Sequence, residues 1–155
     1  MADLNRRIAS DLIARYEKLA GIVHELATPL TDDQFWARPF GFGNSFGHLT
    51  LHLTGNLNYY IGAQIAETGY ARDRPLEFSE STRPAKTEVL KKFDQAIDMV
   101  VVAINDQSND DWSREYSAVG ADARDRFGIV LSCATHLHHH IGQMMYLGFE
   151  LNRNG

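Results

Sequence analysis

Residues 122–151 read DARDRFGIVLSCATHLHHHIGQMMYLGFEL. Ile129, Val130, Cys133, Leu137, Ile141, Met144, Leu147 and Leu151 recur at steps of three and four, the period of a helix with one buried face. With His136 as origin, these apolar positions spread from ~20° to ~140° around the helix axis. His140 falls at ~40°, inside that sector, and His136 lies at its edge. His138 at ~200° and His139 at ~−60° fall outside it. The segment therefore reads as a long amphipathic helix that carries His136 and His140 inward, one turn apart. His138 and His139 are better placed toward solvent or an interface.

Three further segments share the helical period. Leu4, Ile8, Leu12, Tyr16, Leu19, Val23 and Leu26 predict a helix over 3–27. Leu49, Leu53, Leu57, Tyr60 and Ile61 predict one over 45–68, capped by Asn44 or Ser45. Val89, Leu90, Phe93, Ile97, Val100 and Ile104 predict one over 85–105. Between the first two, Thr31 and Gln34 fit a capping box for a short helix, and Pro39, Gly41 and Gly43 then break regular structure. Residues 69–84, with two prolines and many charges, read as a long connection able to cross a bundle. Residues 106–121 read as a polar loop anchored by Trp112 and Tyr116. Strand alternation is not evident. Four long amphipathic helices in one small domain, 1–155, predict an all-α four-helix bundle with a long crossover between its second and third helices.

Composition narrows the function. The net charge of −5 gives no electrostatic footprint for a phosphate backbone, so nucleic acid is not an expected partner. The single cysteine, Cys133, excludes an intrachain disulfide and an all-thiolate metal site. No apolar run has the length of a membrane span, and the charged, amphipathic N-terminal stretch lacks a signal-peptide core. A cytoplasmic protein with no membrane partner is the expectation.

The histidines narrow it further. Two inward imidazoles on one helix could hydrogen-bond within a core or share a metal ion. On the 45–68 helix, His48 and His52 are also four apart; His52 borders the apolar cluster, and His48 lies a further ~40° away. One imidazole from this helix and two from the last give three nitrogen ligands. Three protein ligands leave coordination positions open, as catalytic metals require. A fourth ligand from Cys133 or another histidine would instead close the site. Gln143, at ~−20°, can hydrogen-bond a group at the metal or serve as a surface amide. Asn56 and Tyr59 follow His52 by four and seven positions and can line the same pocket, with core packing favoured for Tyr59. Cys133 is read as a small buried hydrophobe rather than a ligand or nucleophile. Gly142 is read as a residue for close helix packing, and His24 as a partner of its helix's C-terminal dipole. Trp36, Phe40, Phe42 and Trp112 are read as loop anchors rather than a pocket mouth.

NSFGHLTLHLTGN (44–56), the Arg72-Asp73-Arg74 and Glu77-Phe78 stretches of the crossover, Trp36 followed by Pro39, and His136-x-x-x-His140-x-Gly-Gln together resemble the DinB/YfiT-like superfamily of metal-dependent enzymes. The resemblance spans nearly the whole chain. It implies an up-down-down-up bundle with a divalent metal near one end, held by His52, His136 and His140. Zinc, nickel, iron and manganese all suit three imidazoles. It further implies transferase or isomerase chemistry with a low-molecular-weight thiol; a hydroxide bound at such a metal would instead give hydrolysis, and a small molecule is the expected substrate in either case. The alternative is a non-catalytic, stress-associated metal-binding module that works through a partner. Bundles of this sort often pair through a helix face, which leaves a homodimer open.

Overall fold

The computed structural model describes residues 3–153, so residues 1, 2, 154 and 155 of the expected domain lie outside the described residues. Seven α-helices occur among the described residues: α1 (Leu4–Ala27), α2 (Asp32–Trp36), α3 (Phe46–Leu57), α4 (Arg74–Ser79), α5 (Lys86–Asn105), α6 (Asn109–Trp112) and α7 (Arg126–Arg153). Among these residues the chain is all-helical, with no strand beyond an isolated bridge between Glu115 and Asp125.

Local chemistry fixes the helix ends. Asp3 accepts from the backbone N–H of Asn5 at 3.1 Å and opens α1. Thr31 and Gln34 exchange both capping-box hydrogen bonds at α2. Ser45, rather than Asn44, caps α3 through the His48 N–H. Asp73 caps α4, with Pro75 in its first turn, where a missing N–H costs nothing. At the start of α7, Asp125 Oδ1 accepts from the Gly128 N–H at 2.7 Å, so the helix begins at Arg126 rather than at 122.

The long helices pack as a ring: α1 against α5 and α7, and α3 against α5 and α7. Their buried side chains form one cluster, with Tyr16, Phe35, Phe46, Phe93, Leu137 and Met144 among the fully enclosed. Polar contacts set the relative placement. Tyr16 donates to the Val130 carbonyl at 2.6 Å, and Gln34, just beyond α1, donates to the Leu151 carbonyl at 3.3 Å. These bonds tie α1 and its C-terminal extension to successive levels of α7. Lys86 Nζ donates to the carbonyls of Ala27, Thr28 and Leu30, fastening the start of α5 to the end of α1.

The structure departs from the sequence reading in four further places. The 45–68 helix is α-helical only to Leu57; Asn58–Ala63 winds as a π-turn. The connections 69–84 and 106–121 are not wholly irregular but contain α4 and α6. Gly142 does not serve close packing among the described residues: beyond its own helix backbone, a Cβ added there would meet no described atom within 4 Å. His24 does more than face a helix dipole, since its Nε2 lies 2.6 Å from Asp94 Oδ1 on α5. Among the described residues no helix is long and apolar enough to cross a membrane.

Candidate metal centre

His52 on α3 and His136 and His140 on α7 offer one ring nitrogen each, and these atoms lie within 4.8 Å of one another. His136 Nε2 stands 3.3 Å from His52 Nε2 and 2.9 Å from His140 Nε2. Nitrogen ligands held about 2.0–2.1 Å from a tetrahedral cation stand about 3.3 Å apart, so the donor set fits one divalent ion.

The far side of two rings is committed. His52 Nδ1 lies 2.8 Å from Glu77 Oε2. Glu77 also accepts from Arg72 Nε at 2.7 Å and Arg72 Nη2 at 2.9 Å. An ionised carboxylate only accepts, so the His52 proton sits on Nδ1 and the lone pair of Nε2 faces the cluster. Burial pushes the Glu77 carboxyl up, but hydrogen bonds from His52 and Arg72 outweigh it and hold the pKa below its usual value. Gln143 Oε1 receives His140 Nδ1–H at 2.7 Å and turns that ring's Nε2 inward in the same way. With two lone pairs pointed at His136 Nε2, a single proton there can serve only one of them; a cation serves all three.

Electrostatics favour the ligating forms. Burial, then the neighbouring His140 and His52, lower the His136 pKa from 6.5 to about 4. Burial also lowers that of His140, against the raising effect of Gln143. Neutral imidazole is the form that binds metal.

Two local features make room for this arrangement. A Cβ on Gly55 would collide with Glu77 Oε1, so only glycine at that level of α3 admits the carboxylate behind His52. The Phe78 ring packs on His52 at 4.8 Å, and the Arg74 guanidinium sits 5.6 Å from the centre of Phe78. Beside the cluster opens a cavity of about 460 Å³, whose walls include His52, Asn56, Tyr60, Arg72, Cys133 and His136.

The expected site residues divide accordingly. His52, His136 and His140 come together, with Gln143 bonded to His140 and Asn56 in the cavity wall. Tyr59 is not in that wall; its ring packs on Tyr60 at 4.9 Å, and Tyr60 lines the cavity instead. The expectation for Tyr59 assumes a regular α-helix from His52. A π-turn begins at Asn58 instead, and the Arg72 guanidinium lies 5.9 Å from the Tyr59 ring centre and 5.8 Å from that of Tyr60. His48 is buried but faces elsewhere: its Nδ1 is 2.6 Å from Ser45 Oγ and its Nε2 is 3.1 Å from the Glu80 carbonyl. His138 and His139 are exposed, and His139 also borders the cavity. Cys133 lines the cavity as a neutral thiol, its pKa pushed by burial up to about 12. Trp36 is buried and donates to the Pro84 carbonyl at 2.9 Å, whereas Phe42 is exposed. Glu77 and Arg72 stand behind the cluster, and reasoning from the long helices misses both. The signal for them is a Glu and an Arg placed among apolar and proline positions in the crossover.

A helical bundle with a three-histidine cluster at one cavity defines the class of protein. The DinB superfamily model matches residues 15–144, and the chain belongs to that superfamily. No curated protein matches it.

Proposed function

We propose that the chain is a divalent-metal-dependent enzyme acting on a small molecule, with His52, His136 and His140 as its ligands in an up-down-down-up bundle. The observation that carries this reading is the convergence of three imidazole nitrogens beside an open cavity. The bundle arrangement draws support from the ties of α1 to α7 at successive levels and from Asn5 on α1 donating to the Gln107 carbonyl beyond the end of α5.

A divalent ion in this site supplies a positive charge that acidifies a water or thiol and polarises a carbonyl. Zinc, nickel, iron and manganese are the candidates. The protein's own groups do the rest. Glu77 holds the proton on His52 Nδ1, and Arg72 neutralises the carboxylate so that its burial is tolerated. Gln143 fixes the His140 ring, and Asn56 offers an amide to a ligand in the cavity. Cys133, held as a thiol, is a wall rather than a nucleophile. A low-molecular-weight thiol makes the reaction an S-transfer or isomerisation; water makes it a hydrolysis.

The second reading, a non-catalytic stress-associated metal-binding module, draws on the exposed apolar face of α7. Metal analysis of untagged protein tests both. One equivalent in the wild type, lost in His52→Gln, His136→Gln and His140→Gln, supports the site; full stoichiometry in those variants refutes it. Metal-dependent turnover of a thiol or ester panel separates the enzyme from the module.

A further inference from the structure

Two guanidinium groups border the histidine cavity, and neither is fully spent on the fold. Arg72 directs Nε and Nη2 to the Glu77 carboxylate, which leaves Nη1 without a hydrogen-bond partner among the described residues. Among the same residues no buried side-chain nitrogen lacks a partner, so Nη1 opens onto accessible space. The Arg72 side chain is only 10% exposed, and its guanidinium packs on the Tyr59 and Tyr60 rings, so this spare donor is held in place. Arg74 enters the same wall from the first turn of α4. Its guanidinium rests on the Phe78 ring and forms no hydrogen bond or ion pair among the described residues.

Unspent cationic donors in a cavity wall select for a negative group. The chain carries a net charge of −5, so a pair of them at one opening is a local exception to its surface. The Arg72 charge is felt as far as α7, where it lowers the Cys133 pKa against the larger effect of burial. The carboxylate in the wall, Asp122, is exposed, and water screens it. Two guanidiniums with donors to spare match the two oxygens of a carboxylate. A phosphate brings more oxygens and a second charge, and the wall holds no further Arg or Lys to meet them. Asn56, Thr135 and His139 supply neutral polar groups for the remainder of a ligand, and about 460 Å³ suits a small molecule. Arg72 Nη2 lies 3.4 Å from His52 Nδ1, so an acid group held there stands about one imidazole's width from the cluster.

We propose that the cavity takes a small carboxylic acid, its carboxylate held by Arg72 Nη1 and the Arg74 guanidinium and its other end turned toward the histidines. As a statement about the substrate it rests on the enzyme reading above; as a statement about binding it concerns only this chain's own side chains. Arg72 then has two tasks through different nitrogens: Nε and Nη2 hold the carboxylate behind His52, and Nη1 meets the ligand. Arg74 has the second task alone.

The test is a titration of the full-length, metal-free protein near neutral pH with succinate, with its uncharged analogue succinamide, and with inorganic phosphate. Two-dimensional NMR follows the Arg72 Nε–H and the backbone signals of Thr135 and His139. Succinate is expected to shift all three saturably, and succinamide to bind at least about tenfold more weakly. Arg74→Gln, at an exposed position without hydrogen bonds, is expected to lower succinate affinity about tenfold, the loss of a charged hydrogen bond, and Arg74→Lys to recover part of it. Arg15→Gln, an equal change of charge on the exposed side of α1, is expected to change nothing. Equal binding of succinate and succinamide, equal losses in Arg74→Gln and Arg15→Gln, or phosphate binding tighter than succinate overturns the proposal. Metal uptake by the same preparation, assayed separately, keeps the two readings apart. A protein that takes up metal but not succinate overturns the acid site alone; one that binds succinate but no metal supports the acid site and refutes the metal-dependent enzyme.

Discussion

Two helices each carry a His-x-x-x-His pair, and the two pairs end differently. On α7, both members turn their Nε2 atoms to one point. On α3, only His52 does; His48 commits Nδ1 to Ser45 and Nε2 to the Glu80 carbonyl, and its ring packs edge-on against Trp36. Both pairs have the spacing for a shared face. What separates them is which ring nitrogens remain unclaimed after the hydrogen bonds of the fold are made. A histidine suited to a metal is one whose outer nitrogen is occupied and whose inner nitrogen is left with a lone pair.

The contrast is broken most strongly at the cluster itself. His136→Gln, which removes the nitrogen shared by both close contacts, is expected to abolish stoichiometric metal and the thermal shift that metal confers. At a metal concentration of about 1,000 Kd that shift corresponds to about 4 kcal/mol, or roughly 10 °C for a domain of this size. Differential scanning calorimetry with and without metal measures it. Next comes the support behind His52: Glu77→Gln is expected to lower metal affinity by about 10–100-fold, read by competition with a chelator. Gly55→Ala should lower it in the same direction by displacing that carboxylate, and equal affinity in both variants and the wild type would remove Glu77 from the site.

His48→Ala sharpens the comparison from the other side. It is expected to cost about 1–3 kcal/mol of stability in urea melts, since the Ser45 hydroxyl loses a buried partner, and to leave metal stoichiometry unchanged. The smallest effect concerns protons. Because the His136 pKa is lowered from 6.5 to about 4, the unfolded chain binds a proton between those values that the folded chain does not. His136 should therefore take stability from the metal-free protein on acidification across that window, and His136→Gln should flatten that part of the fall.

Much of this is legible in the sequence. The four long helices follow from apolar spacing, because each buries one continuous face. The three clustered histidines follow from wheel angles, which depend only on the regularity of an α-helix up to His52 and around His136 and His140. Legibility stops where regularity does. The π-turn at Asn58–Ala63 leaves no periodic mark, so the end of the regular helix at Leu57 is not legible in the spacing. Helix α4 is a turn and a half long, too short for a period to emerge, and its Glu77 meets His52 across 25 positions of sequence. Gly142 reads as a packing glycine because a helical glycine has the same appearance in sequence whether it packs or faces open space.

His52 and His136 are 84 positions apart, yet their rings touch. An ion bound between them acts as a clasp on a long loop of chain, and the entropy released by opening such a loop no longer favours partial unfolding. Fraying of the last helix from its neighbours, the opening that would expose the Leu137 and Ile141 amides to solvent deuterium, should slow when the clasp is shut and leave the distant α1–α5 seam exchanging as before.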